Sequence, residues 1–437
     1  MKRKYIVIAI AVQAAFTALI IAGYLLTRSP EAAETRTDAY PSAPETAPGA
    51  GAAETAAGIP TPQAVYRGNN ARTGQFPATL AAGSHGIRWQ MQVSTEKTSP
   101  IVYQGTLFFG SGDGVLVAAE AAPARELWNR MSYLRSPATV SPEGKVYVST
   151  AEAIETYDAR TGEPQVPFSD SAGSEVVVDE GSVYMANASG LHKLDGSGNQ
   201  IWGFNAGDVG SASSPAIEGD TVYFVTRDRK PEDASLTLFA VDAASGEERW
   251  RFTTDGFYSR GAQVPAVAGG IVYFSSSSME VPERDVPYYE PVSRGRLHAI
   301  DAQSGAELWG YDLPQSVRPL AVADGSVFVA YDNRGPDGMT AGYLRALDAR
   351  TGAERWAVER GAVLSPPSVS GGEVIAVTAA SAPYNDIGEQ CRLSAFDAAS
   401  GEERWSVALP SDSYLNELFI SDGAVYLASP VYLISIT

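Results

Sequence analysis

The sequence predicts an all-β fold: an eight-bladed β-propeller of four-stranded antiparallel blades, preceded by one amino-terminal transmembrane helix and a disordered linker. Three observations carry this prediction. The phrase LFAVDAASGEERW, Leu238 to Trp250, returns as LHAIDAQSGAELW, LRALDARTGAERW and LSAFDAASGEERW. A longer unit surrounds it, reading S-P-A-V, a turn, a V-Y strand, a variable gap, then L-x-A-x-D-A-x-S/T-G-x-x-x-W. Finally, one tryptophan stands ahead of the first unit, while the last unit stops short of its own closing strand.

At the amino terminus, Lys2, Arg3 and Lys4 precede an uncharged run from Tyr5 to Thr27, closed by Arg28. That run would span roughly 34 Å as a helix at about 1.5 Å per residue, enough for a hydrocarbon core of about 30 Å. Residues 1–28 therefore read as a single-pass anchor in a bacterial cytoplasmic membrane. The basic flank stays in the cytoplasm and the propeller lies outside, periplasmic or extracellular. A cleaved signal peptide is the rival reading. Thioether lipidation is excluded, because no cysteine follows the run. Residues 29–64 are rich in Ala, Pro, Glu and Thr and poor in large apolar groups. Such a stretch does not repay the entropy of ordering and reads as a flexible tether. Residues 65–437 carry the repeats.

Units begin at Ser99, Ser136, Ser174, Ser214, Val264, Arg318, Pro366 and Glu417. Each reads as four short strands with period-two alternation and β-branched or aromatic enrichment. About 46 residues per unit suits a propeller blade. The closing position is filled by Trp128, Phe168, Trp202, Trp250, Trp309, Trp356 and Trp405. Trp89, in IRWQMQV, offers a closing strand without a unit, and the eighth unit reaches Thr437 without a closing strand. Pairing the two closes the ring and removes exposed sheet edges.

The D-A-x-S/T-G turn has a mechanical reading. Asp158, Asp242, Asp301, Asp348 and Asp397 accept hydrogen bonds from turn N–H groups just ahead. Gly162, Gly246, Gly305, Gly352 and Gly401 take the positive φ of a short hairpin. The tryptophan beyond most of them packs between adjacent sheets. Five near-identical turns read as scaffold, since one catalytic constellation does not need five copies.

This unit resembles the quinoprotein-like (PQQ-type) β-propeller repeat. That repeat occurs in alcohol dehydrogenases that use pyrroloquinoline quinone and in non-enzymatic BamB-type assembly factors of the outer membrane. The resemblance covers roughly Val65 to Thr437. VYRGNNARTG, Val65 to Gly74, looks like the Arg-Gly-rich segment found ahead of the first blade in such proteins. For the dehydrogenases the resemblance implies Ca²⁺ beside the quinone, held by a Glu, an Asn and a catalytic Asp, often under a disulfide between adjacent cysteines. Cys391 is the single cysteine, and C-x-x-C-H is absent. The chain is thus read as closer to the BamB-type scaffolds, with no catalytic, cofactor or metal residues assigned. PQQ and Ca²⁺ belong to the alternative, a quinone-dependent oxidoreductase with a reduced ligand set.

A net charge of −19 without a Lys/Arg cluster argues against nucleic acid as a partner. Asp332, Asn333 and Asp337 offer hard-cation oxygen ligands, but their spacing equally fits a solvated Asx/Gly loop. His85, His192 and His298 fall in different units, and the latter two share one repeat position, which suits packing better than a metal or Ser-His-Asp site. Gly110 to Gly114 reads as a hairpin rather than a phosphate cradle.

Asymmetry among the units points to binding. The gap between second and third strands grows at 227–235, 276–294, 331–342 and 378–392. In a propeller these gaps emerge on one face, where a rigid ring presents its recognition loops. Tyr288 and Tyr289 lie in the longest. The same face receives Lys97, Tyr133, Arg135, Arg260, Gln263, Arg318, Tyr414, Asn416 and Glu417, just before innermost strands, and their cations suit an anionic ligand or acidic segment. The alternative is that insertions are cheap and that these arginines neutralise an acidic rim. The favoured function is a membrane-anchored, extracytoplasmic, non-catalytic binding or scaffold module for a protein or cell-envelope partner. A sensor working through a membrane partner is a third reading.

Overall fold

Ring closure is the feature on which the predicted topology turns, and the computed structural model places it as expected. Ile87–Gln92 pairs antiparallel with Tyr432–Ile436, with Ile87 opposite Ile436 and Gln92 opposite Tyr432. Together with Leu418–Ser421 and Ala424–Ala428 they form one four-stranded sheet. The structure describes residues 64–77, 80, 85–93, 99–122, 124–168, 174–229, 235–255, 264–280, 292–315, 317–334, 340–380, 391–410, 418–429 and 431–437. All of them belong to one compact unit, Pro60–Thr437. The expected anchor and most of the expected tether lie outside the described residues. Among the described residues no helix is long and apolar enough to cross a membrane.

Eight sheets make the ring. Numbered in chain order, blade 1 is Ile101–Tyr103, Thr106–Ser111, Val115–Ala121 and Ala124–Met131, and blade 8 is the closing sheet. The inner strand of blade 1 is wholly buried and the other inner strands are mostly so, whereas outer strands alternate exposed and half-buried positions, as in Glu248–Asp255 of blade 4. Blades 4 and 7 each split the innermost strand in two. Val209–Ala212 and Ala216–Glu218 both pair with Thr221–Asp228, and Ala362–Val363 and Ser368–Ser370 both pair with Glu373–Ala379. A serine spans each break: Ser213 Oγ accepts from Val225 N–H and Ser365 Oγ from Val377 N–H, both at 2.9 Å.

Blade 2 departs from the expectation of four strands. Thr139–Val140, Lys145–Ser149 and Ile154–Asp158 are followed by single bridges at Pro164 and Phe168. Pro164 and Pro167 have no N–H to give, so only Gln165 and Phe168 donate to the neighbouring strand.

The recurring turn and the recurring tryptophan prove to be two halves of one joint between blades. In blade 4, Asp242 Oδ1 accepts from the N–H groups of Ala244 (3.0 Å) and Ser245 (2.7 Å). Gly246, at φ 75°, lies so close to Trp202 of blade 3 that a Cβ there would stand 2.7 Å from the indole. The same close approach joins Trp128 to Gly162, Trp250 to Gly305, Trp309 to Gly352, Trp356 to Gly401 and Phe168 to Gly198. Each indole N–H also donates to the alanine carbonyl of the turn it covers, as Trp250 does to Ala302 at 2.9 Å and Trp356 to Ala398 at 3.0 Å. Trp89 does the same across the closure, to Ala121 at 3.0 Å. Trp405 is the exception. Its neighbour is the composite blade, which has no such turn, so it stacks on His85 at 4.1 Å and donates to Glu373 at 3.2 Å. Hydrogen bonding from Arg355 and from the Ser400 N–H holds Asp348 and Asp397 down to about 2.

Sequence reading places Val65–Gly74 ahead of the first blade without partners and leaves residue 64 in the tether, whereas Ala64 is buried and bonded to blade 2. Residues 64–76 run along the inner strands of six blades. Ala64 exchanges hydrogen bonds with Val140 of blade 2. The carbonyls of Asn70, Ala71, Thr73 and Gly74 accept from Ile217, Val267, Val322 and Val369 of blades 4 to 7, at 2.7 to 2.9 Å. Asn70 Nδ2 donates to Val178 O of blade 3 at 3.0 Å. Phe76 then meets Phe419 of blade 8 edge-on at 5.1 Å. Arg72 anchors this strap: it is 1% exposed and pairs with Glu175 at 3.1 Å. It also donates to Tyr66 O and Pro215 O. Glu175 stands where six of the other seven units carry the proline of S-P-A-V, so one irregular residue in the repeat is the partner of the strap.

Breaking a buried pair leaves an uncompensated charge. Glu175→Gln is expected to lower unfolding free energy by roughly 3–5 kcal/mol, and Arg72→Met with Glu175→Leu by clearly less. Urea unfolding of the single and double variants checks this.

Candidate rim-face interaction site

The face where second strands end and third strands begin is set by chain direction alone, and it is uneven. Blade 3 uses strands of 6 and 5 residues there, Ser182–Asn187 and Gly190–Leu194. Blade 5 uses Ile271–Glu280 and Val292–Asp301, 10 residues each, and blade 6 uses Ser326–Arg334 and Thr340–Asp348, 9 each. Part of each enlarged gap is thus ladder rather than loop. An excess of four residues raises a two-stranded ribbon about 13 Å at about 3.3 Å per residue.

Across the ring, blades 1 and 2 present a low platform. Met131 and Tyr133 are each 64% exposed on the connection between them. The Tyr133 ring lies over Gly114, where a Cβ would come within 2.4 Å of it, so the glycine hairpin of blade 1 seats the ring. Arg135 follows, exposed, its N–H held by Ser149 O at 2.9 Å.

Arg318 takes a different role. Its guanidinium pairs with Asp332 at 2.6 Å and donates to Val363 O at 2.8 Å, while Asp332 Oδ1 accepts from Val363 N–H at 2.8 Å. The two residues join blade 6 to blade 7, and the Asp332 carboxylate is occupied on both oxygens, which does not fit an ion ligand. The side chains of Asn333 and Asp337 lie outside the described residues, as do Lys97, Arg260, Gln263, Tyr288, Tyr289, Tyr414, Asn416 and Glu417. Among the described residues no group of three or more His, Cys, Asp or Glu is placed to hold a metal ion. Cys391 is buried.

Two cavities sit at one repeat position, below the enlarged gaps. The first, about 620 Å³ between blades 4 and 5, is lined by Thr254, Asp255, Ser276, Arg294, Arg296 and Asp312 among others. The second, about 500 Å³ between blades 6 and 7, includes Arg360, Thr378, Arg392 and Glu403. Beside the first, His298 is 1% exposed and stacked on Phe274 at 4.8 Å. Sequence spacing placed His298 in packing but did not bring Ser276 and Glu307 to it, because those contacts run across three strands.

Burial pulls the His298 pKa below its usual value, against an opposing pull from Glu307. The unfolded chain therefore takes up this proton first as pH falls. The contribution to stability is complete above about pH 6.5 and is lost as pH drops through the depressed folded value. Urea midpoints across this range should fall more steeply in the parent than in His298→Gln.

Comparison with known proteins places the repeats. A family profile described as outer membrane protein assembly factor BamB matches residues 150–286 and 293–432. The chain is 28% identical over 172 residues to the serine/threonine-protein kinase AfsK of Streptomyces griseus, covering 37% of this chain and 18% of that protein. It is 31% identical over 132 residues to the quinoprotein glucose dehydrogenase of Escherichia coli (strain K12), covering 27% of this chain and 15% of that protein. The match therefore spans under a fifth of either relative. BamB from Moraxella catarrhalis has a similar fold, with a TM-score of 0.58 at 15% identity, covering 81% of this chain and 100% of that one.

Proposed function

From the premise that this chain belongs to the family of the outer membrane protein assembly factor BamB, we propose that it is a membrane-anchored, extracytoplasmic propeller that binds a protein or cell-envelope partner without turnover. Residues 1–28 anchor it, residues 29–64 tether it and the ring presents its uneven face to the partner. One observation carries this reading: ribbons rising from blades 5 and 6 stand across the ring from an exposed Met131–Tyr133–Arg135 platform. A raised wall facing an apolar, aromatic and cationic floor is suited to an acidic segment bearing a hydrophobic side chain. Lys97, Arg260, Gln263, Tyr288, Tyr289, Tyr414, Asn416 and Glu417 belong to the same partner-facing set. Arg318 contributes by holding two blades of the rim together.

Similarity to quinoprotein glucose dehydrogenase supports a second reading, a PQQ-dependent oxidoreductase. Asp332, its one described candidate ion ligand, is already bound on both oxygens. Purified protein incubated with PQQ and Ca²⁺ is expected to show no stoichiometric binding and no dye reduction; either result would favour the oxidoreductase.

Crosslinking in intact cells identifies what the rim touches. Tyr133→Ala with Arg135→Glu is expected to reduce capture of that partner roughly tenfold or more at an unchanged melting temperature. Undiminished capture would move the site off this platform.

A further inference from the structure

Two histidines at the same repeat position end in different surroundings. In blade 5, Ser276 Oγ lies 2.9 Å from His298 Nε2, and His298 Nδ1 lies 2.9 Å from Glu307 Oε1. In blade 3, Ser189 Oγ lies 2.9 Å from His192 Nε2, but Nδ1 meets the amide oxygen of Gln200 at 3.1 Å. Only the blade 5 set has a carboxylate behind the imidazole. There the ring is enclosed by Phe274 and by Phe252 at 5.6 Å. Ser276 is itself part of the wall of the cavity of about 620 Å³ between blades 4 and 5.

From this geometry we propose that Ser276, His298 and Glu307 form a serine-hydrolase-type site acting on small carboxylic esters. A triad is defined by mutual geometry and roles rather than by chain order or fold. Glu307 accepts the Nδ1–H of His298 and so fixes the tautomer whose Nε2 lone pair faces the Ser276 hydroxyl. Nε2 takes the hydroxyl proton as Oγ bonds to the ester carbonyl carbon, and the C=O electron pair moves onto oxygen. Collapse of that adduct breaks the bond to the alkoxy group, which leaves as the alcohol with the proton from Nε2. Water, giving a proton to Nε2, then attacks the acyl-serine and releases the carboxylic acid, restoring Ser276. The net change is ester plus water to acid plus alcohol, with no oxidant or metal required.

Arg296 completes the arrangement. It stands directly across the ladder from Ser276 and lines the same cavity, with Asp312 at 2.7 Å and Glu307 at 3.4 Å holding its guanidinium. It is the group placed to meet a developing oxyanion. The cavity size admits a short acyl chain and a compact leaving group. This activity goes beyond partner binding and uses none of the platform residues, so its failure would leave the binding reading standing.

The full chain is treated with a fluorophosphonate probe and the adduct located by peptide mass, alongside p-nitrophenyl acetate hydrolysis. The expected result is one adduct per chain on Ser276, with none on Ser189. Ser276→Ala should lose the adduct and at least about 100-fold in hydrolysis rate at an unchanged melting temperature. Glu307→Gln, which acts through His298, should shift the pH midpoint of kcat/KM as well as lower it. A folded parent that stays unlabelled at Ser276, or hydrolysis retained in Ser276→Ala, overturns the proposal. Should Ser276→Ala fail to fold, the adduct map of the parent decides alone.

Discussion

Innermost strands that face one another across a channel each present one unpaired edge, and a buried edge must find partners or cost the fold the desolvation of its N–H and C=O groups. This constraint organises the molecule. Residues 64–76 meet it for six blades, and the buried Arg72–Glu175 pair holds that strap in register. Arg67 adds hydrogen bonds to the carbonyls of Leu320 and Pro367, reaching blades 6 and 7 from a side chain 5% exposed. The next strand in the chain, Ile87–Gln92, closes blade 8. One stretch of chain thus serves seven of the eight blades.

Around this axis, neighbouring blades are joined by a single repeated device. The aspartate shapes a turn, the glycine leaves a flat surface, and the preceding blade's indole lies on it and donates to the turn carbonyl. Tyrosines of the second strands reinforce it, as Tyr273 does by donating to Ala349 O, the acceptor that Trp309 also uses. Where the device is interrupted, the substitute is local: Phe168 packs without an N–H to give, and His85 fills the slot over Trp405. The scaffold is therefore stiff where its repeats agree, leaving variation to the opposite face.

That face is where the blades differ. The turn face is occupied with holding blades together, whereas the gap face differs from blade to blade in height and chemistry. Arg318 and Asp332 show that some of its charges are committed to cohesion between blades. Tyr133 and Met131 show the opposite, large side chains left exposed on the connection between blades 1 and 2. The chain belongs to the BamB family, and it also shares a stretch of sequence with a quinoprotein glucose dehydrogenase, so the repeat by itself does not fix a function.

The sequence alone determined the all-β class, the number of blades and the closure by Ile87–Gln92. Those follow from short-range periodicity and from one unpaired tryptophan, and each blade is a local unit that its own residues specify. The turn aspartates and glycines were legible for the same reason. The tertiary structure decided what depends on residues distant in the chain. VYRGNNARTG says nothing by itself of the five blades it bonds. Glu175 looks like a weak repeat until Arg72 is placed beside it. Arg318 reads as a rim cation until Asp332 and Val363 close around it, and Ser276, His298 and Glu307 become neighbours only when three strands align. Periodicity encodes what each blade is, whereas contacts across the channel and across strands arise from geometry that only the closed ring creates.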